Sequence, residues 1–370
     1  MSDAELAALV VLVGLPELGP RRLRRLFAQL TPVDALAAIG TGRVGALPPT
    51  LMDGRRIDDA TVAAWASAVT GVDPAAVLER HRRAGVSVMG PAELRLMPPW
   101  EHDPEPPVVL FCSGRFLDPY RPTVGIVGTR RCTAYGRGVA RSLGGALARA
   151  GVTVVSGVAL GIDGAAQTAA LDAGGVVVGV VASGLDRPYP PGNTGLWKSL
   201  AEVGSLISEY PLGAEPRPWR FPARNRLIAA LADVLVVVES PGEGGSMYTV
   251  EAALERDRTV MAVPGPVTSR ASSGTNQLVA DGALMVRSAD DVIAALGVLG
   301  PPPTGLASVD HHKEPEADEE LLHAFGWEPC TVDGLVERSG RDPAWVAAAL
   351  TRLALRGVVG STSGWWERLR

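Results

Sequence analysis

The sequence has few cysteines, and their placement argues against two classes of protein. Its 370 residues include only Cys112, Cys132 and Cys330, which lie far apart and form no C-x-x-C pair. Small secreted domains depend on many closely spaced cysteines, and structural zinc sites need paired ones. Neither a disulfide framework nor a cysteine-based zinc site is therefore supported, and we expect a reduced, cytoplasmic protein.

Excess positive charge and long apolar runs are also missing. The formal net charge is −5, so a binding site for nucleic acid would have to be a local concentration of arginine. No apolar run reaches the roughly 18 residues that suggest a membrane helix, and no basic, apolar leader opens the chain. We expect no membrane association.

Histidine is scarce where catalysis would need it. The five histidines are His81, His102, His311, His312 and His323, and all lie outside residues 122–296. A Ser-His or Cys-His arrangement cannot be built from that region alone. The metal-binding H-E-x-x-H, phosphate-binding Walker A and calcium-binding EF-hand patterns are also missing. We predict no catalytic and no metal-ligating residues, and hence a protein that binds its ligand without converting it.

The hydrophobic pattern divides the chain into segments. We predict a helical module at 1–75, a connector at 76–121, a core domain at 122–299, a linker at 300–317 and a small domain at 318–370. The first module resembles SAM and helix-hairpin-helix units, and its second helix carries Arg21, Arg22, Arg24 and Arg25. These arginines could either contact a DNA backbone or form a solvated helix face, and the sequence does not decide between the two.

The core domain alternates strands and helices. Its strands, such as Val176–Ala182 and Val234–Val238, are continuously apolar, which predicts burial on both faces of a parallel sheet. The fold class is therefore α/β, an extended Rossmann-like, doubly wound and mostly parallel sheet. In residues 318–370, three helices and a two-stranded wing predict a winged helix. Its third helix, around Ala344–Leu350, carries little charge, which favours protein contact over DNA contact.

Segments rich in Gly, Ser and Arg leave the predicted strand ends or lie beside them. Ligands of open parallel sheets bind at the carboxyl ends of the strands, and glycine lets a phosphate approach the backbone closely. The nearby arginines are interleaved with Trp219 and Phe221, which suits a single strand of nucleic acid. The predicted binding residues are Gly128, Thr129, Arg130, Arg131, Ser156, Gly157, Gly184, Asn193, Phe221, Arg224, Asn225, Arg226, Gly245, Ser246 and Thr249.

With these motifs the chain resembles the DNA-processing protein A family (DprA, also called Smf). The matching segments include Val127–Arg130, Ser156–Asp163, Gly184–Asn193, Ser208–Pro211, Phe221–Ile228, Gly245–Thr249, Ala262–Gly265 and Ser272–Asn276. The resemblance implies a bacterial protein that binds and protects incoming single-stranded DNA and helps to load RecA in natural transformation and recombination. It also implies a homodimer formed through the Rossmann-like domain, no cofactor, and a strand-gripping role for Arg130.

Three residues depart from the family pattern. Leu160 and Pro191 stand where the family commonly has arginine and lysine, and Gln167 replaces a histidine. Each lost phosphate contact should reduce the salt dependence of binding by about 0.7 in log–log slope. Two outcomes are open: weaker affinity for DNA, or a basic contribution supplied by Arg131 and Arg187.

Two other functions remain open. Phosphoribohydrolases of the lysine-decarboxylase-like type hold and cleave a nucleotide with P-G-G-x-G-T-x-x-E, and Pro241–Gly245 resembles the start of this motif. Glu251 is out of register with its glutamate, however. The third possibility is a sensor of small nucleotides that uses the same pocket.

Overall fold

The computed structural model describes residues 1–47, 57–115, 118, 120–297, 316–325, 330–355, 358–362 and 365–368. The chain forms two compact units, Met1–Gly300 and Pro301–Arg370. The predicted boundaries near residues 75 and 121 lie inside the first unit, so the helical module and the core domain are one compact body. The finer domain boundaries stay a prediction.

Five helices form the N-terminal part of the first unit. They are α1 (Asp3–Val13), α2 (Pro20–Phe27), α3 (Pro32–Gly40), α4 (Asp59–Val69) and α5 (Pro74–Arg83). Ser2 caps α1 in a capping box with Glu5, and Pro20 occupies the first turn of α2. Trp65 is fully buried among these helices, and its indole N–H donates to the Pro16 carbonyl at 2.7 Å.

The arginines of α2 that were candidates for DNA contact are partly engaged within the unit. Arg21 Nε lies 3.1 Å from a carboxylate oxygen of Glu105. Arg24 Nη1 donates to the Pro106 carbonyl at 3.0 Å. These contacts join α2 to the connector and favour a structural role for both side chains.

A nine-stranded sheet forms the centre of the first unit. Its strands are β1 (Ser87–Met89), β2 (Leu110–Gly114), β3 (Thr123–Val127), β4 (Thr153–Ser156), β5 (Val177–Val180), β6 (Ser205–Ser208), β7 (Val234–Val237), β8 (Thr259–Ala262) and β9 (Leu284–Met285). The spatial order is β1-β2-β6-β5-β4-β3-β7-β8-β9. β1, β2 and β6 pair antiparallel, and all other neighbours pair parallel. The connector thus contributes two strands to the sheet.

Helices cover both faces of the sheet. Two short ones, α6 (Pro91–Leu94) and α7 (Pro98–Glu101), precede β2, and they are followed by α8 (Ala134–Arg149), α9 (Ile162–Asp172), α10 (Thr194–Val203), α11 (Arg220–Leu231), α12 (Met247–Leu254), α13 (Ser273–Ala280) and α14 (Ala289–Ala295). Every residue of β3 and β7 is buried. The predicted Rossmann-like α/β class is confirmed. The predicted helix Arg226–Leu231 begins earlier, at Arg220, so the arginine-rich segment is helical.

The strand order creates one crevice in the sheet. From β3 the chain winds outward through β4, β5 and β6, and it then returns to the other side of β3 with β7. The connections that leave β3 and β7 therefore diverge to opposite sides. Ligands of doubly wound sheets bind at such a switch point, outside the carboxyl ends of the strands.

The second unit is a small domain of three helices and a two-stranded sheet. Its elements are α15 (Glu316–Phe325), α16 (Val332–Ser339), α17 (Pro343–Leu355), β10 (Val359–Thr362) and β11 (Trp365–Arg368). The side chains of Phe325, Leu335 and Val346 are fully buried in its core. Cys330 exchanges two backbone hydrogen bonds with Trp366, which ties the start of α16 to the wing. The predicted winged helix is confirmed.

The described helices are short or bent relative to a membrane span. None of them is long and apolar enough to cross a bilayer by itself. Only α4 and α5 taken together pass on length and composition, and they are bent by 66° with respect to each other. Trp65 of α4 and Leu78 of α5 are buried within the unit.

Candidate functional site

The crevice outside β3 and β7 holds a cavity of about 540 Å³. The loops that follow β3 and β7 line it, together with the segment that opens α11. The predicted binding residues that line the cavity are Gly128, Thr129, Arg130, Arg131, Phe221, Arg224, Asn225, Gly245, Ser246 and Thr249. Segments that are far apart in sequence thus meet where the fold predicts a ligand.

The loop after β3 is anchored by a buried carboxylate. Glu239 follows β7 and is 1% exposed. Its two carboxylate oxygens accept from the backbone N–H of Thr133 at 2.8 Å and from the Thr133 hydroxyl at 2.7 Å. Its carbonyl accepts from the N–H of Thr129 at 2.7 Å. Residues 129–133 are therefore fixed to the neighbouring strand, and the arginines between them start from a rigid backbone.

Gly128 is required by the packing at this turn. A Cβ at this position would lie 2.6 Å from Ile162 Cγ1 and 2.7 Å from the carbonyl oxygen of Glu239. We expect Gly128→Ala to lower the free energy of unfolding by about 1–3 kcal/mol because the added methyl overpacks the turn. Chemical denaturation checks this, with Gly138→Ala on α8 as the matched control, since a Cβ there meets nothing within 4 Å. Equal stability of the two variants would contradict this packing argument.

Two exposed arginines at the cavity form no ion pair with the described part of the chain. Arg130 and Arg131 are exposed, and within the part of the chain that the structure describes neither has a carboxylate within 4 Å. The guanidinium carbon of Arg130 lies 5.2 Å from the ring centroid of Phe221, within cation–π range. The Phe221 ring in turn lies 5.4 Å from the ring of Tyr189. The arrangement offers exposed positive charge beside aromatic faces.

Arg224 lies at the cavity but is committed to the protein. It is 5% exposed, and its Nη1 donates to the carbonyls of Gly157, at 2.9 Å, and Val180. Burial lowers the pKa of Arg224 to about 10. Nearby Asp163 is also buried; burial raises the pKa of its carboxyl group, and the charge of Arg224 opposes that shift. Arg224 supplies positive potential and holds the loop after β4, with little surface left for direct contact.

The N-terminus of α12 also lines the cavity. Gly245, Ser246 and Thr249 belong to this end of the helix, and its first turn holds no acidic residue. The Ser246 hydroxyl pairs with the Ser240 hydroxyl at 2.7 Å and makes no capping bond to the helix. The Gly245 carbonyl accepts from Asn225 Nδ2 at 3.1 Å, which ties α11 to this loop. A helix N-terminus without an acidic residue favours an anion.

The remaining predicted binding residues do not line this cavity, and each of them makes contacts within the protein. The Ser156 hydroxyl is fully buried and donates to the Ile126 carbonyl. Gly157 is buried beneath Arg224, and Gly184 donates to the Ala214 carbonyl at 2.8 Å.

Asn193 and Arg226 also make contacts within the protein. Asn193 Nδ2 donates to the carbonyls of Val158 and Ala159 at 3.0 and 2.8 Å, so it fixes the loop after β4. Arg226 is buried and forms an ion pair with Glu209, which is itself 5% exposed. The arginine therefore neutralises a buried carboxylate.

The departures from the family pattern have clear structural settings. Gln167 is fully buried, accepts from the Val158 N–H at 3.1 Å and donates to the Val178 carbonyl at 2.9 Å. Leu160 is 43% exposed beside the loop. Arg187, a candidate to replace the missing charge, lies 3.3 Å from a carboxylate oxygen of Glu215. Its charge is thus partly neutralised.

The structure adds residues that were not among those predicted. Tyr189 and Tyr248 line the cavity with their rings 37% and 55% exposed, and Asp163 lies at its floor. Both tyrosines stand next to glycine-rich segments of the sequence, and this position could have identified them as candidate binding residues. Glu251, the residue out of register with the phosphoribohydrolase motif, is exposed on α12 and does not line the cavity. Among the described residues no group of three His, Cys, Asp or Glu side chains could hold a metal ion.

Comparison with known proteins identifies the relatives of the chain. The sequence model of DNA recombination-mediator protein A matches residues 91–297, and that of the DprA winged helix domain matches residues 301–364. A DNA processing protein DprA of Mycobacterium tuberculosis is 42% identical over 271 residues, which cover 71% of this chain and 69% of that protein.

Solved structures of two relatives have the same fold. DNA processing protein A of Streptococcus pneumoniae aligns with a TM-score of 0.62 and 27% identity, covering 80% of this chain and 98% of that one. DNA processing protein A of Helicobacter pylori, whose structure describes a single-stranded DNA binding mode, aligns with a TM-score of 0.52 and 30% identity over 58% of this chain and 96% of that one. The chain belongs to the DNA-processing protein A (DprA/Smf) family.

Proposed function

We propose that this protein binds single-stranded DNA in the cavity outside β3 and β7, as a DNA-processing protein of the cytoplasm. The observation that carries the proposal is the pair of exposed arginines, Arg130 and Arg131, which line the cavity with the Phe221 ring and a helix N-terminus. Phosphates would pair with the arginines and with the N-terminus of α12.

The aromatic faces favour a single strand over a duplex. Tyr189, Phe221 and Tyr248 all line the cavity, and each can stack only on a base whose face is free. Bases in a duplex are stacked on one another, so they cannot use these rings without being unstacked. The H. pylori relative, whose structure concerns single-stranded DNA binding, supports the same ligand.

Salt-dependent titration tests the proposal. We expect the full chain to bind labelled single-stranded oligonucleotides with little sequence preference and to bind duplexes more weakly. Each phosphate neutralised should contribute about 0.7 to the slope of log affinity against log salt. Fluorescence anisotropy at two salt concentrations measures the affinity for each oligonucleotide and its salt dependence. A protein that binds no single strand even at low salt would refute the proposal.

Family membership supports further properties that concern recombination, assembly and partner binding. The protein would protect incoming strands and help RecA to assemble on them in natural transformation and recombination, acting as a homodimer formed through its Rossmann-like domain. The winged helix, with its weakly charged third helix, would contact a protein. Sedimentation of the full chain tests dimerisation, and RecA filament formation on protein-coated DNA tests the loading role.

Binding is proposed without catalysis. The phosphoribohydrolase alternative needs a carboxylate in the pocket, and Glu251 lies outside it. Among the described residues, the carboxylate that lines the cavity is that of Asp163, which is buried and accepts from the Gly157 N–H at 3.0 Å. Release of free base from a nucleoside monophosphate would contradict this part of the proposal.

A further inference from the structure

A second and larger cavity of about 940 Å³ lies in the same unit. One side is formed by α1, the turn after it and the start of α2. The other side of this groove is formed by residues 209–220, between β6 and α11.

The two cavities share one wall. Pro218 and Phe221 line the first cavity, whereas Arg217, Trp219 and Arg220 line the second. Neighbouring Cα atoms are about 3.8 Å apart, so a ridge one or two residues wide separates the two spaces. A flexible polymer lying over Phe221 would meet Trp219 next.

Trp219 is exposed and firmly held. Its side chain is 57% exposed, although it is the largest residue of the segment. The ring of Tyr210 stands edge-on to it at 6.4 Å and 81°. The guanidinium carbon of Arg220 lies 4.2 Å from the Tyr210 ring and 5.2 Å from the Trp219 ring, and Arg220 Nη1 donates to the Glu215 carbonyl at 2.7 Å. An exposed ring held in this way is a preformed stacking platform.

The charges around this platform suit an anionic chain. Arg80, Arg217 and Arg220 line the groove, and among the described residues Arg217 has no carboxylate within 4 Å. Of the acidic residues that line it, Glu209 is neutralised by Arg226, while Glu17 lies at the outer turn, 3.9 Å from Arg22.

We propose that the groove is a second subsite for single-stranded DNA, in which Trp219 stacks on a base and Arg217 contacts a phosphate. The strand crosses the ridge at Pro218 and continues from the first cavity toward the N-terminal helices. The inference rests on the proposed function, because it extends the same bound strand.

Oligonucleotide length separates the two subsites. Thymidine oligomers of about 2 and about 15 nucleotides are used: the first cavity alone can hold the dinucleotide, whereas the longer oligomer lies within the range of known single-strand sites and reaches both cavities. We expect Trp219→Ala to weaken binding of the longer oligomer by about 5- to 150-fold, the value of one lost base stack, and to leave the shorter one unchanged. Trp219→Phe keeps an aromatic face and should bind both nearly as the wild type does. Tyr120→Ala, which removes an exposed ring before β3 at the opposite edge of the sheet, is the matched control.

The outcomes are distinct. A wild-type protein that binds neither oligomer at low salt refutes the proposed function and this inference with it. If the wild type binds both oligomers and Trp219→Ala changes neither affinity, or weakens both equally, the second subsite is refuted and the first stands. Unchanged DNA affinity would also be the result if the groove serves a protein segment instead.

Discussion

Replacing Arg130 with alanine is expected to weaken the binding of single-stranded DNA by about 10- to 150-fold at low salt, the effect of one lost hydrogen bond to a charged group. The side chain is exposed, has no carboxylate partner among the described residues and lies against Phe221. Its loss removes a phosphate contact and the cation that orders the ring. The salt dependence should also decrease by about 0.7 in log–log slope.

Two control variants separate these contributions. Arg130→Lys keeps the charge but not the planar guanidinium, so it should keep most of the salt dependence and lose part of the affinity. Arg149→Ala removes one exposed positive charge at the C-terminus of α8, the end away from the cavity, and should bind as the wild type does. If Arg149→Ala and Arg130→Ala weakened binding equally, DNA affinity would depend only on the net charge of the protein. The cavity outside β3 and β7 would then not be the binding site.

Replacing Arg226 with alanine is expected to lower the free energy of unfolding by about 3–5 kcal/mol, because it leaves the carboxylate of Glu209 buried without a partner. Both side chains are almost completely buried. Arg226 also donates to the Glu105 carbonyl at 2.8 Å, which ties α11 to the connector. Chemical denaturation of the full chain measures the loss.

A double variant decides whether this arginine is structural. Joint replacement by apolar residues of similar size, Arg226→Met with Glu209→Leu, should recover most of the stability because no charge stays buried alone. Single-stranded DNA affinity per folded molecule should be close to that of the wild type. If the double variant were fully stable but no longer bound single-stranded DNA, Arg226 would be a DNA-contacting residue and not only a structural one.

The architecture follows closely from the apolar pattern. The strands of the core are short continuous apolar runs, such as Val234–Val237, and such runs predict a buried parallel sheet. Once the sheet is parallel, its glycine-rich connections must gather at one edge, and this is why Gly128, Ser246 and Thr249 could be placed together from sequence. Strand position was therefore enough to find the cavity.

Side-chain direction could not be inferred in the same way. Phe221, Arg224 and Arg226 were treated as one basic, aromatic segment, but they lie on α11. Residues two apart on a helix point to nearly opposite sides, since each residue turns about 100°. The helix therefore sends Arg226 to Glu209 while Arg224 faces the cavity floor. The helical period of this segment was hidden because Pro222 and the charged residues break its apolar pattern.

The hydrogen-bond partners of buried polar side chains could not be predicted from the sequence either. Ser156 ends an apolar strand. Its residue type does not indicate that its hydroxyl donates a hydrogen bond to the Ile126 carbonyl. Gln167 was noted only as a replacement for a histidine, yet it is a fully buried side chain that joins the loop after β4 to β5. Such partners are separated in sequence, so only the folded chain shows them.

Photochemical cross-linking tests most directly the claim that the cavity outside β3 and β7 holds the DNA. A single-stranded oligonucleotide with photoreactive thymidine analogues would be cross-linked to the full chain at low salt, and the modified peptides identified by mass spectrometry. We predict cross-links to the peptides that contain Phe221 and Tyr248, and their loss in Arg130→Ala. Cross-links confined to α2 or to the winged helix, with none near the cavity, would contradict the account.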